Sequence, residues 1–239
     1  MSRGSEASVG KEWSADFSKV LRFFLRWFFK HLYTTLAWSY DWVAWIVSMG
    51  QWTKWLAVVL ERLPAGMVLE LGYGPGHLQA RLGGRRWIPF GIDPSRQMSL
   101  LAAHRLMRSG SRMQLSRARA QNLPFAACTF DALVSTFPSE YIMEAATLQE
   151  ASRVLKPEGT LVMVPAARIT GKLLFDRLAA WVNRAARQAD DPKAEWLAAL
   201  RNHGLEPVLE TIHQRRAVVY RMIAVKKPVP VELGEERCR

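Results

Sequence analysis

The sequence predicts an α/β fold with a largely parallel sheet, and two segments carry that prediction. The first is Val68–Leu71, a strand-like run that leads directly into a turn. That turn holds three glycines at alternate positions: Gly72, Gly74 and Gly76. The second is Trp87–Ile92, another apolar run, which is followed by Asp93. Apolar runs that alternate with turn residues and amphipathic segments are typical of strand–helix units, which place their strands parallel.

The glycine turn indicates a ligand-binding loop, because glycine adopts positive φ and lets a ligand approach main-chain N–H groups closely. The alternative, an ordinary strand-to-helix turn, needs one glycine. A dinucleotide loop is excluded because the sixth position is His77, and a phosphate loop because no Lys-Ser/Thr pair follows. Glu70 suits a cationic ligand and would repel phosphates. The amphipathic segment His77–Leu82 predicts a helix start.

An acid two residues before a G-x-G-x-G turn resembles the first motif of the class I S-adenosylmethionine-dependent methyltransferases. The resemblance implies a Rossmann-like sheet of seven strands, mostly parallel with an antiparallel last hairpin, flanked by helices. It also implies S-adenosyl-L-methionine as the cofactor, with the turn passing under its methionine part. It therefore assigns these residues to cofactor binding: Glu70, Gly72, Tyr73, Gly74 and Gly76.

Asp93 stands where nucleoside-binding α/β units hold the ribose, about 20 residues after the glycine turn. A carboxylate accepts hydrogen bonds from both ribose hydroxyls at once. The alternative is that Asp93 caps the helix that begins near Pro94 and Ser95, and the two roles are compatible. Met98 lies one turn into that helix. The resemblance implies that it contacts the adenine face, and ordinary core packing is the alternative.

The segment Ala120–Phe125, followed by Phe130–Ser135, resembles the family pattern D-A-x-x-L-P-F…F-D-x-V, which leads into the fourth strand. Arg119 stands where the family has an acid that accepts a hydrogen bond from the adenine amino group. Arginine has no acceptor. If the resemblance holds, adenine must therefore be bound by backbone groups around Ala120 and Gln121, or by the Gln121 side chain.

The later part of the chain also follows the family. Glu150–Val164 resembles its helix, turn and fifth strand, with Glu158 in place of a glycine. That replacement is tolerable if the position needs no positive φ. The segment Ala194–His203 predicts a helix. Two strand-like runs around Arg215-Arg216 predict a hairpin: Glu206–Gln214 and Ala217–Val225.

The chemistry expected at the site is an in-line displacement, in which positioning does most of the work. A general base is needed only for a poor nucleophile, and the sequence shows no acid–base pair. The segment Thr136–Tyr141 follows the fourth strand at the carboxyl end of the sheet, where ligands bind. We expect Thr136 at the cofactor. Glu140 and Tyr141 are the catalytic candidates, although either could simply start the next helix.

The N-terminal region is rich in aromatic residues, with seven of the ten tryptophans before residue 60. If residues 17–33 form a helix, one narrow stripe of it is polar and the rest of its circumference is aromatic and aliphatic. This pattern fits a helix that lies in a membrane interface. Packing on the domain or on a second subunit is the alternative. Basic residues interrupt the segment too often for it to span a bilayer. Tyr40 is a candidate lid over the cofactor, or else a core tyrosine.

These observations divide the chain into three parts. Residues 1–60 form the helical extension, with the interfacial helix at 17–33 followed by a cofactor-lid helix. Residues 61–226 form the methyltransferase domain, with a helical insertion near 168–190. Residues 227–239 form a loose tail.

The formal net charge of +12 suits an anionic membrane surface or nucleic acid. Thr136–Ser139 lacks the Asn/Asp-Pro-Pro-aromatic motif that the resemblance associates with methylation of extruded bases, which disfavours nucleic acid. We therefore expect methylation of a small hydrophobic acceptor, quinone-like or lipid-like. A cofactor-binding scaffold without catalysis is the alternative from another class, and Arg119 favours it.

The remaining expectations concern location and metal. The sequence shows no secretory signal, so we expect a cytoplasmic protein. Together with the N-terminal pattern, this allows peripheral binding to the inner face of the membrane. The two cysteines lie far apart in sequence, which argues against a zinc site, and we expect no metal.

Overall fold

The computed structural model describes residues 48, 50–84, 86–110, 114–170 and 194–228 of the chain. They build a seven-stranded sheet with the order β3-β2-β1-β4-β5-β7-β6. The strands are β1 (Gly66–Leu71), β2 (Trp87–Ile92), β3 (Leu115–Ser116), β4 (Phe130–Thr136), β5 (Leu155–Ile169), β6 (Leu205–Gln214) and β7 (Ala217–Lys226). Strands β1 to β5 pair in parallel, whereas β7 is antiparallel to β5 and β6. This confirms the predicted Rossmann-like sheet with its antiparallel last hairpin.

Helices flank the sheet on both faces. The described α-helices are α1 (Trp52–Ala57), α2 (Arg96–Ser109), α3 (Ala145–Val154) and α4 (Ala194–Asn202). Short 3-10 helices occupy Val58–Arg62, Gln79–Arg81 and Glu140–Met143. Helix α2 begins where the sequence predicts it, since the Ser95 hydroxyl accepts a hydrogen bond from the Met98 N–H at 3.3 Å.

The core has two halves, one on each face of the sheet, because successive residues of a strand point to opposite faces. In β1, Val68 belongs to the cluster that contains Trp55 of α1. Its neighbour Leu69 belongs to the opposite cluster, with Leu148 of α3. All four side chains are buried. A strand buried on both faces explains why the sequence shows a nearly continuous apolar run there.

A buried arginine ties the antiparallel end of the sheet to the segment before β1. The Arg221 side chain on β7 is only 5% exposed and donates to Glu210 on β6 at 2.5 Å. It also donates to the Glu61 carboxylate at 2.8 Å and to the Val58 carbonyl at 2.6 Å. A buried charge is costly unless it is paired and hydrogen-bonded. These contacts therefore hold the segment that carries α1 against β6 and β7.

One local expectation is wrong, and the condition attached to another is not met. His77–Leu82 forms turns and one 3-10 turn rather than the start of an α-helix. So short a segment, ended by Gly83-Gly84, gives too few helical hydrogen bonds to offset nucleation. Glu158 has φ +62°, so its position does need the conformation that the family obtains from glycine. A non-glycine residue there carries a cost of about 1–2 kcal/mol.

Several expectations fall outside the described residues. They are the interfacial helix at 17–33, Tyr40, most of the insertion near 168–190 and the tail beyond residue 228. The proposed division into three parts therefore stays a prediction. Within the described ranges, no helix has the length and apolar character needed to cross a bilayer.

Candidate functional site

A cavity of about 360 Å³ opens at the carboxyl ends of β1, β2 and β4. Its volume is within the range of small-molecule sites, and this edge is where open α/β sheets bind ligands. Seven of the residues predicted at the site line it: Gly72, Gly74, Asp93, Ala120, Gln121, Thr136 and Tyr141. Five others do not: Glu70, Tyr73, Gly76, Met98 and Glu140.

The glycine turn has the backbone conformation that the sequence predicts for a ligand loop. Gly72 and Gly74 have φ values of +76° and +52°. A Cβ on Gly72 would lie 2.6 Å from the Tyr141 hydroxyl oxygen, so any side chain there would have to displace this hydroxyl. A Cβ on Gly74 would meet no atom within 4 Å, since this residue faces open space in the cavity. Gly74 is therefore the point of the turn that a ligand can approach most closely.

Asp93 holds the turn in place from the end of β2. Its Oδ2 accepts a hydrogen bond from the Gly74 N–H at 3.0 Å, and its Oδ1 accepts one from the Ser95 N–H at 2.8 Å. Burial raises the pKa of Asp93, while these two N–H groups act in the opposite direction. Each carboxylate oxygen keeps a lone pair after these bonds, so Asp93 can still accept hydrogen bonds from a ligand in the cavity.

Glu70 lies behind the turn rather than in the cavity. It is 2% exposed, and the Gln79 amide donates to its Oε2 at 2.9 Å and to the Phe90 carbonyl at 3.0 Å. Burial raises the pKa of Glu70 to about 8, with a smaller contribution from the nearby Asp93 charge. The acid is thus largely protonated near neutral pH and does not line the cavity. This placement does not match the expectation that a charged Glu70 suits a cationic ligand.

Three further predicted residues pack the turn against α2. The Tyr73 hydroxyl lies 2.7 Å from the Ser99 hydroxyl, and the Met98 side chain is completely buried. Gly76 approaches the helix so closely that an added Cβ would lie 3.0 Å from the Ala102 Cβ. These residues support the turn from behind and do not line the cavity.

A polar rim borders the cavity after β3. Ala120 is buried, whereas Arg119 is exposed and Gln121 is half-buried. The Gln121 amide nitrogen donates to Glu144 Oε2 at 2.7 Å. Arg119 lines the cavity, but its guanidinium offers donors alone, so it cannot replace the acid that the family has at this position.

An aromatic wall, formed by Phe137, Trp52 and Trp55, stands at the end of β4. Phe137 lines the cavity, and its ring stacks on Trp52 with centroids 4.4 Å apart and an interplanar angle of 27°. The Trp55 centroid lies 6.0 Å from that of Phe137. Phe137 has φ +50°, and its N–H donates to the Val164 carbonyl at 2.8 Å. The sequence predicted that the segment after β4 lies at the ligand-binding edge of the sheet, but it did not predict that α1 contacts Phe137.

The two catalytic candidates have different surroundings. Tyr141 lines the cavity, and its hydroxyl donates to the Leu71 carbonyl at 3.1 Å. The Ser135 hydroxyl donates to the same carbonyl at 2.9 Å. Glu140 is exposed at the start of the 3-10 helix and does not line the cavity. Tyr141 therefore lies at the cavity, whereas Glu140 lies in the first turn of the 3-10 helix, and a catalytic role for either residue stays a prediction.

The residues at this edge fit S-adenosylmethionine. The turn leaves open space at Gly74, where a ligand can reach the backbone. Asp93 presents a carboxylate with free lone pairs, as binding to ribose hydroxyls requires. Gln121 supplies an amide next to the buried Ala120. Among the residues that the structure describes, no group of three or more His, Cys, Asp or Glu side chains could hold a metal ion.

The chain is similar in sequence to a methyltransferase family model and to several methyltransferases. Residues 68–159 match the family model described as "Methyltransferase domain". A ubiquinone/menaquinone biosynthesis C-methyltransferase of Syntrophotalea carbinolica is 30% identical over 149 residues, which cover 60% of this chain and 63% of that protein. A demethylmenaquinone methyltransferase of Thermotoga maritima is 33% identical over 165 residues, covering 63% of this chain and 69% of that protein. The chain thus spans just under two thirds of the first relative.

The fold has structural neighbours as well. A crystal structure from Thermotoga maritima, described as a SAM-dependent methyltransferase, superposes with a TM-score of 0.59 at 21% identity. The match covers 82% of this chain and 99% of that one. At this identity the likeness concerns the fold.

We expect Glu70 to make stability fall as pH rises. The folded state raises the pKa of Glu70 from 4.5 to about 8, so it retains a proton that the unfolded chain releases. The resulting stabilisation is complete below the unfolded pKa and is lost as pH rises through the folded value. From about pH 6 to about pH 8, this group should lower the free energy of unfolding by about 2 kcal/mol.

Denaturant unfolding of wild type and Glu70→Gln at the two pH values measures this contribution. The neutral amide should make the decline shallower. Glu140→Gln is the matched control, since it makes the same change from carboxyl to amide at an exposed position and should leave the decline unchanged. Parallel declines in wild type and Glu70→Gln would contradict the assignment.

We expect Gly74→Arg to abolish measurable binding of S-adenosyl-L-homocysteine, because the new side chain would enter the cavity beside Asp93. Gly110→Arg is the matched control. Gly110 also has positive φ, +64°, with open space at its Cβ, but it lies at the end of α2 outside the cavity. Isothermal titration should show wild-type affinity for the control. Equal binding by both variants would contradict a ligand site at the turn.

Proposed function

The chain belongs to the class I S-adenosylmethionine-dependent methyltransferases, and we propose that it methylates a small hydrophobic acceptor of quinone or lipid type. The observation that carries the acceptor class is the aromatic wall. Phe137 lines the cavity at the end of β4, and Trp52 stacks on its ring. Aromatic rings pair favourably in stacked or edge-to-face arrangements, so a flat apolar acceptor suits this wall.

The sequence relatives support the same acceptor class. One is named a ubiquinone/menaquinone biosynthesis C-methyltransferase and the other a demethylmenaquinone methyltransferase. At 30% and 33% identity, over part of each protein, they support a quinone-type acceptor for this chain as part of the proposal.

The proposed methyl transfer depends on which functional groups line the cavity. S-adenosylmethionine, when bound, supplies an electrophilic methyl group on its sulfonium. The glycine turn and Asp93 are suited to holding the nucleoside end, and Phe137 to orienting the acceptor. Among the cavity-lining residues named above, the titratable ones are Asp93, Arg119 and Tyr141. Asp93 accepts two backbone hydrogen bonds, and Tyr141 donates to the Leu71 carbonyl.

This arrangement favours positioning over proton transfer. Holding two reactants in line contributes most of the acceleration in such a displacement. We infer that the acceptor is nucleophilic once it is bound, as an electron-rich ring carbon or a readily ionised hydroxyl is. A reduced quinone has both.

A non-catalytic scaffold is the second candidate function, because Arg119 stands where the family has the acid that binds the adenine amino group. Isothermal titration and labelled-methyl transfer to a membrane extract separate the two. Binding of S-adenosylmethionine without transfer favours the scaffold. Absence of binding overturns both.

We expect Phe137→Ala to raise the KM for a prenylated naphthoquinol by about tenfold, because the acceptor loses its packing surface. Labelled-methyl transfer in detergent, with the quinol kept reduced, measures this. Trp87→Ala is the matched control, since Trp87 is half-buried at the opposite, amino-terminal end of β2 and should leave the KM unchanged. An unchanged KM in Phe137→Ala would remove the aromatic wall from the acceptor site.

We further propose that residues 17–33 place the protein on the inner, anionic face of the membrane, where hydrophobic acceptors dissolve. The sequence pattern and the charge of +12 support this. In flotation with anionic vesicles, the full chain should float, and a version that starts near Thr34 should stay at the bottom. Neutral vesicles should carry less of the full chain. Equal behaviour of the two versions would end the membrane proposal.

A further inference from the structure

The amide of Gln121 has its orientation fixed by a neighbouring carboxylate. Gln121 lines the cavity and donates from its Nε2 to Glu144 Oε2 at 2.7 Å. Glu144 is the residue directly before α3. A carboxylate accepts hydrogen bonds and does not donate them, so the nitrogen end of the amide must face Glu144. The carbonyl oxygen Oε1 is then the end of the amide that a ligand in the cavity can use.

The neighbouring positions show why this acceptor matters. Arg119 offers donors alone, and Ala120 has an apolar side chain. The Asn122 N–H donates to the Arg119 carbonyl at 3.1 Å, which engages that carbonyl within the turn. Of the three rim residues that line the cavity, Arg119, Ala120 and Gln121, the one whose side chain carries a hydrogen-bond acceptor is therefore Gln121.

We propose that Gln121 Oε1 accepts the hydrogen bond from the exocyclic amino group of the adenine ring, and that Glu144 is the positioning residue that holds the amide in this orientation. This rests on the proposed function, since it requires the nucleoside of S-adenosylmethionine in the cavity. A neutral amide and an acid outside the cavity thus replace the family's single acid. The pair makes the site selective for a 6-amino purine over a 6-oxo purine, whose carbonyl would face the carbonyl of Gln121.

The test compares two ligands that differ at that one group: S-adenosyl-L-homocysteine and S-inosyl-L-homocysteine. Isothermal titration of the full chain should show at least about tenfold tighter binding of the adenosyl compound, because the inosyl compound leaves two acceptors face to face. In Gln121→Ala this preference should fall to about twofold or less. In Glu144→Ala it should fall to an intermediate value, since the amide is free to turn over.

A charge-conserving exchange provides the control. In the double variant Gln121→Glu with Glu144→Gln, the new amide at 144 donates to the new carboxylate at 121. An acceptor still faces the cavity, so the adenosyl preference should return to at least the wild-type ratio. A merely structural role for the pair would change the stability of the variants and leave the ratio of the two affinities constant.

The outcomes separate this inference from the proposed function. If the wild-type protein binds neither compound, both are overturned. If it binds both compounds equally, or if Gln121→Ala keeps the tenfold preference, the Gln121 inference is overturned and the proposed function stands. If the exchange variant folds, binds and shows no preference, the assignment of the acceptor to this pair is also overturned.

Discussion

The hydrogen bond from the Gly74 N–H to the Asp93 carboxylate is the contact on which the site depends. It joins the turn after β1 to the end of β2, and two further N–H groups, those of Gly72 and Tyr73, donate to the Ile92 carbonyl. A turn with positive φ values at alternate residues exposes N–H groups that its own strand cannot satisfy. The neighbouring strand satisfies them, so the shape of the ligand loop is set by β2 as much as by the glycines.

Local sequence was sufficient to predict the elements whose signals lie within a few residues. Strands β1 and β2, the start of α2 at Ser95 and the last hairpin all carry such signals. The prediction was wrong where a distant contact decides. Gln79 lies in a segment with helical periodicity, yet its side chain bonds Glu70 and the Phe90 carbonyl beneath the turn. Nothing in its own segment indicates those partners.

The predicted site residues fall into two groups, those that line the cavity and those that do not, and the direction of each side chain decides between them. Asp93, which directly follows β2, and Thr136, the last residue of β4, line the cavity. Glu70 is one residue inside β1, so its side chain points to a face of the sheet and becomes buried. A motif match cannot register this difference, because it records spacing and not direction. The stacking of Trp52 on Phe137 joins residues far apart in sequence, and only the packing of α1 brings them together.

The charges of the site are arranged so that few of them reach the cavity. Burial raises the pKa of both Glu70 and Asp93, and their mutual repulsion favours keeping a proton on Glu70. The buried acid therefore adds little negative charge behind the turn near neutral pH. In the binding mode proposed here, selection of a sulfonium nucleoside comes from backbone contacts, from Asp93 and from the acceptor at Gln121, rather than from a strong field. The part of the cavity that Phe137 lines also imposes a small desolvation cost on the apolar acceptor that we propose. The cofactor and the hydrophobic acceptor that we propose can thus share one site although the cofactor is charged.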